Sequence, residues 1–272
     1  MTSQEKLKKT IEKSFHICVG LDTDIVKIPK HLSVLDEPTL EFNKIIIDST
    51  IEYANSYKIN FAFYEKDGLQ GIEVLEKTIK YIKIIDEKIL IIADAKRGDI
   101  GNTSKKYAES VYDYFNCDAI TLHPYMGSDS IEPFLGYKDK INFILGLTSN
   151  PSAFDFEKQK LKNGRFLYQE VIEKTNEWNT NNNLGLVFGA TNIDELKLNI
   201  SSFNDMPILL PGVGAQGGSL EDIVSEFKMN NKNNFIINVS RGLIYIDDSK
   251  KFALSVENKI KEYNNIIMKI LH

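Results

Sequence analysis

Eight short runs of apolar residues, rich in β-branched and aromatic side chains, punctuate the chain. They lie at His16 to Leu21, Tyr57 to Tyr64, Ile89 to Ala93, Ala119 to Leu122, Phe143 to Leu147, Leu184 to Phe188, Ile208 to Leu210 and Phe235 to Val239. Several are apolar on successive residues, the pattern of a strand covered on both faces of a parallel sheet. Between them apolar positions fall at helical spacing in Thr39 to Asn55, Gly71 to Ile85, Asn102 to Phe115, Gly164 to Thr175, Ile193 to Asn199, Leu220 to Lys228 and Ser249 to Ile270. Several of these stretches open with Asp, Asn, Ser or Thr, which can cap the first free N–H groups of a helix. Repeated strand–helix units predict an α/β fold with a parallel sheet, and eight of them predict a single (β/α)8 TIM barrel. No linker, repeat or low-complexity segment divides the chain. One barrel domain is therefore expected over residues 1–272, with an N-terminal helix and a longer loop region near 151–183. The Asn-rich stretches near Asn181 and Asn230 read as solvated loops without a function of their own.

Composition narrows the function classes. The chain has 272 residues, 42% of them hydrophobic, enough for one sizeable core. Lys and Arg number 33 against 38 Asp and Glu, and a net charge of -5 argues against a general nucleic-acid or membrane-surface binder. A local basic pocket for one anion stays compatible with that charge. Cys18 and Cys117 lie inside apolar runs without metal-ligand spacing, so buried reduced thiols are expected, which suits the cytosol. Met1 to Ser14 is polar and Lys-rich, and no apolar run approaches the roughly 18 residues of a membrane span. A soluble cytoplasmic protein without a cleaved leader is the expectation.

In such a barrel the chemistry sits where strands end and βα loops begin. The third run continues Ile92-Ala93-Asp94-Ala95-Lys96-Arg97-Gly98-Asp99-Ile100-Gly101-Asn102-Thr103. Strand side chains alternate with a period of two, so Asp94 and Lys96 are expected on one side, an anion meeting a cation at the barrel mouth. The plainer alternative is a solvated charged turn in which Asn102 or Thr103 caps the next helix. The second run places Lys58 and Asn60 on one face. A charge inside a barrel strand is costly unless paired, which makes Asp94 the natural partner of Lys58. On the first run Cys18, Gly20 and Asp22 alternate likewise, and Asp22 adds a carboxylate suited to sugar hydroxyls, although alone it reads as a turn-forming residue. Two glycine-containing segments, Pro211 to Gly218 and Asn238 to Gly242, fall at the last two strands, where barrels often bind phosphate. Glycines let backbone N–H groups approach an anion, Gln216 can donate from its amide, and Arg241 can hold phosphate oxygens in a forked contact. Two tight turns with a surface arginine would account for the same residues.

Asp94 to Thr103 resembles the signature of the orotidine 5′-phosphate decarboxylase family, in particular its longer-chain branch. Tyr57-Lys58-Ile59-Asn60-Phe61-Ala62-Phe63-Tyr64 is similar to that family's second strand. Pro124-Tyr125-Met126-Gly127 and Thr148-Ser149-Asn150-Pro151 are similar to its fourth and fifth loops, and Gly189-Ala190-Thr191 to its sixth. The likeness runs in order from Cys18 to Tyr245. It implies a cofactor-independent carboxy-lyase of pyrimidine biosynthesis, with orotidine 5′-phosphate as substrate, uridine 5′-phosphate and CO₂ as products, no metal, and a homodimer as the working form. It implies further that Lys58, Asp94, Lys96 and Asp99 form an alternating charged array. Asp99 would cross into the neighbouring subunit's site, accompanied by Ile100 and Thr103. Asp22 and Lys58 would hold ribose hydroxyls, Asn60 would support the sugar and the array, Ser149 would read the pyrimidine edge, and Gln216 and Arg241 would grip the phosphate. Two features depart from the family pattern: His123 stands where Asn is common, and Ser152 to Asn183 is longer than in compact relatives. His123 is expected to be a loop hydrogen-bonder.

The rival readings are a metal-assisted sugar-phosphate enzyme on the same barrel, with Mg²⁺ among carboxylates, and a phosphate-ligand-binding barrel without chemistry. An adhesion role for Arg97-Gly98-Asp99 is set aside, because the tripeptide is common by chance.

Overall fold

Strands apolar on both faces can be satisfied by closing into a ring, and that is the arrangement found. The computed structural model describes residues 1–213 and 217–272. Its strands are β1 (Ile17–Gly20), β2 (Ser56–Asn60), β3 (Leu90–Arg97), β4 (Ala119–Leu122), β5 (Ile141–Leu147), β6 (Leu184–Phe188), β7 (Ile208–Pro211) and β8 (Phe235–Val239). Each pairs in parallel with the next, and β8 returns to β1 through Ile17↔Ile237, Cys18↔Asn238 and Val19↔Val239, closing the barrel in sequence order.

The pleat divides the core in two. Cys18, Leu90, Ile92, Ala119, Phe143 and Ile236 form a cluster that fills the lumen. Their neighbours Val19, Ile91, Ile120, Ile144 and Ile237 pack outward beneath the helices. The helix Phe252–Leu271 buries Phe252, Val256, Ile260 and Ile267, one stripe at helical spacing. Each such side chain contributes about 1.5–3 kcal/mol of burial. Lys58 and Asp94 occupy lumen positions near the C-terminal ends of β2 and β3, at the end of the barrel opposite its apolar filling.

The floor of the barrel is closed by the N-terminal helix Ser3–Ile11, which opens with a reciprocal cap between Thr2 and Glu5. Leu7 enters the lumen cluster. Beside it the buried Lys6 donates to both oxygens of Asp118, at 2.9 and 3.0 Å, and to the carbonyl of Ile89 at 3.3 Å. Asp118 also accepts the Ile91 N–H at 3.0 Å, so neither charge is left unmatched.

Several expected boundaries shift. The strand expected over Tyr57 to Tyr64 ends at Asn60, whose side chain accepts the Ala62 N–H and starts a short helix, Ala62–Glu65. The helix expected over Asn102 to Phe115 becomes an α-helix, Gly101–Glu109, continued by one wide turn, Ser110–Tyr114. A helix at Ser128–Leu135 was not anticipated, since Pro133 interrupts its sequence pattern. The stretch near Asn181 is not simply solvated: Asn183 is buried and its amide donates to the carbonyls of Leu135 and Tyr137 at 3.2 Å. Asn182 and Asn231 take the left-handed conformation that asparagine tolerates better than most residues.

His16 gives the fold a pH dependence. Its ring stacks on Phe235 at 4.0 Å, and Nδ1 donates to the Phe235 carbonyl at 2.9 Å, leaving Nε2 buried without a partner among the described residues. Charging the ring would bury an N–H with no acceptor, and burial, only partly offset by that hydrogen bond, lowers its pKa from 6.5 to about 4. Between those values the unfolded chain holds a proton that the folded chain does not. The contribution is therefore complete above about pH 6.5 and is lost as the pH falls towards 4. It amounts to about 3 kcal/mol. Denaturant titrations of wild type and His16→Phe across this window are expected to show the wild type losing stability more steeply by that order; parallel curves would reject the assignment.

Candidate active site

At the mouth, charges of alternating sign are linked in a row. Lys58 Nζ, almost fully buried, lies 3.4 Å from Asp22 Oδ1 and donates to Asp94 Oδ2 at 2.7 Å. Lys96 Nζ donates to Asp94 Oδ1 at 2.5 Å. Thr121 on β4 donates to that same oxygen at 3.0 Å and accepts the Lys96 N–H at 3.0 Å. Burial alone would raise the pKa of Asp94, but the charges of Lys58 and Lys96 outweigh it and hold the carboxyl well below the usual range. For Lys58 burial works towards neutrality, and Asp22 and Asp94 overcome it, keeping the ammonium charged.

Lys96 reaches Asp94 by a different route from the regular alternation expected. Ala93 pairs with Ile120 and Arg97 with Leu122, so four steps of β3 stand opposite two steps of β4. Within that bulge Lys96 has φ 45°, a left-handed conformation that a non-glycine residue adopts at a cost. The result is an ammonium whose side chain remains 49% exposed while its tip is fixed on a buried carboxylate.

Two cavities meet at the Lys58–Asp94 pair. One, of about 190 Å³, runs from Asp22, Asn60 and Asp94 to Gly212, Ser240 and Arg241 at the ends of β7 and β8. The other, of about 260 Å³, is bounded by Lys96, Thr121, Ser149, Leu145, Val187 and Leu209, and so is apolar on one wall and polar on the other. The array stands between a glycine-and-arginine rim suited to an anion and a cavity with one apolar wall.

The structure thus brings together Asp22, Lys58, Asn60, Asp94, Lys96, Ser149 and Arg241. Asp99, Ile100 and Thr103 lie elsewhere in this chain. Asp99 accepts the N–H of Ile100 at 2.8 Å, Ile100 is 55% exposed, and Thr103 is exposed on the helix Gly101–Glu109. Gln216 falls outside the described residues. His123 accepts the Tyr125 N–H at 3.1 Å, the loop-bonding role expected of it.

Sequence reasoning missed the residues that hold these groups in place. Thr121 gave no signal, being one hydroxyl inside a strand. The loop after β1 is anchored by Tyr245, whose hydroxyl accepts the Asp24 N–H at 2.6 Å and donates to the Asp22 carbonyl at 3.2 Å. It is anchored again by Tyr64, which donates to the Leu21 carbonyl at 3.0 Å. The long segment after β5 also has a positioning role. Glu157 accepts the Thr148 N–H at 2.7 Å and its hydroxyl at 2.9 Å, and Asn192 donates to the Thr148 carbonyl at 3.0 Å. The next residue, Lys158, donates to Glu195 at 2.5 Å. Gly189 is required beneath this loop, because a Cβ there would come 2.8 Å from the Ser149 nitrogen.

Fold and site together define a (β/α)8-barrel enzyme with a lysine–carboxylate array at its strand ends. The sequence model of the orotidine 5′-phosphate decarboxylase / HUMPS family matches residues 16–255. The chain belongs to that family. It is 47% identical over 253 residues to an orotidine 5′-phosphate decarboxylase of Porphyromonas gingivalis, covering 93% of this chain and 91% of the relative. The structure of Leishmania donovani OMP decarboxylase superposes with a TM-score of 0.81 at 34% identity, covering 97% of this chain and 99% of that one. Leishmania donovani UMP synthase superposes with a TM-score of 0.84 at 36% identity, and this chain spans 57% of its length.

The Glu157 contacts predict that Glu157→Ala frees the Thr148–Asn150 loop without unfolding the barrel. Amide hydrogen exchange at Thr148 is expected to accelerate by about 10-fold or more, the loss of a charge-assisted hydrogen bond, while β1 to β4 stay protected. Unchanged exchange at Thr148 would remove Glu157 from this role.

Proposed function

We propose that the paired cavities take orotidine 5′-phosphate and that the array between them releases CO₂ from pyrimidine C6, leaving uridine 5′-phosphate. The observation that carries this reading is a buried Asp94 carboxylate fixed between two ammonium groups at the junction of a cavity rimmed by Gly212 and Arg241 and one walled by Leu145, Val187 and Leu209. Arg241 and Gly212 hold the phosphate, with Gln216 as a second donor. Asp22 and Lys58 hold the ribose hydroxyls, and Asn60 backs them. The pyrimidine lies against Leu145 and Val187 with Ser149 at its edge.

Breaking the C6–carboxylate bond leaves an electron pair in an orbital the ring cannot delocalise, so the barrier is one of charge at C6. Lys96 is the group that meets it. Its ammonium stabilises the developing pair and then donates the proton that forms the new C6–H bond, and water returns a proton to the amine afterwards. Asp94 aims Lys96, and its own charge faces the departing carboxylate. Phosphate contacts remote from C6 supply binding energy that orders the site. The chemistry uses no cofactor or metal.

The proposed working form is a homodimer in which Asp99, Ile100 and Thr103 of each chain complete the other's site. Two observations support it. Asp99 has no part in its own chain's array, and Ile100 presents a large apolar side chain to solvent beside it. The buried reduced thiols of Cys18 and Cys117, which burial pushes up to about 12, suit a cytoplasmic setting. No helix among the described residues is long and apolar enough to cross a membrane.

Purified protein in EDTA is expected to convert orotidine 5′-phosphate, followed by its ultraviolet absorbance, and Lys96→Ala is expected to lower turnover by at least about 1000-fold. Loss of wild-type activity in EDTA would favour a metal-assisted reaction. Mixing the inactive variants Lys96→Ala and Asp99→Ala should restore activity, because half of each mixed dimer then carries an intact site; no restoration would reject the shared site. Arg241→Ala should lower kcat as well as raise KM, by about 10-fold or more in kcat/KM, and unaltered kinetics would remove it from the phosphate site.

A further inference from the structure

At the top of β8 the lumen carries a polar side chain that the protein itself does not satisfy. The pleat sends Ile236 into the lumen core and Asn238 one layer above it, in register with Cys18 on β1 and Pro211 on β7. Asn238 is only 6% exposed, yet its Oδ1 meets no donor among the described residues, and Ser240 Oγ is likewise unpartnered. Both face Gly20, where a Cβ would come 2.7 Å from Ser240 Cβ and 3.1 Å from Asn238 Oδ1, so the absence of a side chain on β1 makes room for them. Both also line the cavity shared with Asp22, Lys58 and Arg241.

An unmatched buried amide costs about 1–3 kcal/mol, and the lumen cluster below it, with Ile236 of the same strand, is apolar. A residue that weakens the fold at such a position is explained when something outside the chain supplies its donor. Resting on the reading of the site given above, we propose that Asn238 is a ligand-binding residue for the sugar–phosphate half of the nucleotide. Its Oδ1 accepts a hydrogen bond from a ribose hydroxyl, between the carboxylate of Asp22 and the guanidinium of Arg241. Ser240, one layer higher, turns its hydroxyl to a phosphate oxygen. The chain therefore reads the sugar from β8 as well as from β1 and β2.

The test is to titrate wild type and Asn238→Val with uridine 5′-phosphate and with ribose 5-phosphate, and to record thermal midpoints without ligand. Both affinities are expected to fall by about the same factor, near 10-fold, while the midpoint stays level or rises because an unmatched amide has been removed. Unchanged affinity for either ligand would overturn the assignment. A loss confined to uridine 5′-phosphate would overturn it too, by moving the contact to the base. A lower midpoint with both affinities retained would make the amide a structural group bridged by internal water. Asn238→Leu, close to asparagine in size, repeats the comparison if the valine variant does not fold, and failure of both variants to fold also assigns the amide to structure. Wild-type turnover with undiminished variant affinity defeats the role of Asn238 alone, whereas a wild type that neither binds nor converts nucleotide defeats the reading of the site with it.

Discussion

A carboxylate taken out of water needs its full charge returned by neighbours, and at Asp94 this is the condition around which the barrel mouth is built. Lys58 on one strand, Lys96 on its own strand and Thr121 on the next together occupy both of its oxygens. None of these contacts is stabilising merely because it is ionic, since each ion gives up hydration to form it. Their value is that Asp94 cannot move or neutralise without leaving the buried Lys58 to the more distant carboxylate of Asp22 alone. A rigid arrangement of alternating charge follows, with one ammonium, that of Lys96, still open to the cavity with the apolar wall.

Rigidity at the mouth is reinforced from outside the array. Tyr64 and Tyr245 fasten the loop that carries Asp22, one from the β2 side and one from beyond β8, and Glu157 fastens the loop that carries Ser149. Loops at the ends of barrel strands are free to vary, so a site built on them depends on such fastenings for the precision that electrostatic catalysis requires. The left-handed Lys96 belongs with these features: the bulge stores conformational cost where the chain needs a side chain aimed off the regular pleat.

Much of this was legible in the sequence because two periodicities carry it. Runs buried on both faces mark all eight strands, and alternation by two places Lys58 and Asn60 together and pairs Lys58 with Asp94. What alternation could not give is the path of Lys96, since a bulge is a tertiary accommodation to β4 and leaves no composition signal of its own. Single polar residues inside apolar runs, Thr121 and Asn238, were also opaque, because one hydroxyl or amide in a strand is indistinguishable from tolerated noise until its neighbours are known. The helix Ser128–Leu135 was hidden by Pro133, whose cost tertiary packing absorbs. Asp99, Ile100 and Thr103 carried a family signature, yet among the described residues they take no part in the array, and the role proposed for them lies beside a second chain.

The closed floor has a consequence for the order of events during synthesis. The helix Ser3–Ile11 is made before the residues it docks on, since its Ser3 N–H bonds the Asp139 carbonyl and its Lys6 bonds Asp118. Lys6 must wait for a partner 112 residues further on, and β1 must wait longer still for β8. This segment must stay undocked, with Leu7 uncovered, until those residues have been made. Nascent chains of this barrel thus expose the apolar face of the helix until the strands it closes are in place, a burden that falls on the polar and lysine-rich character of the same segment.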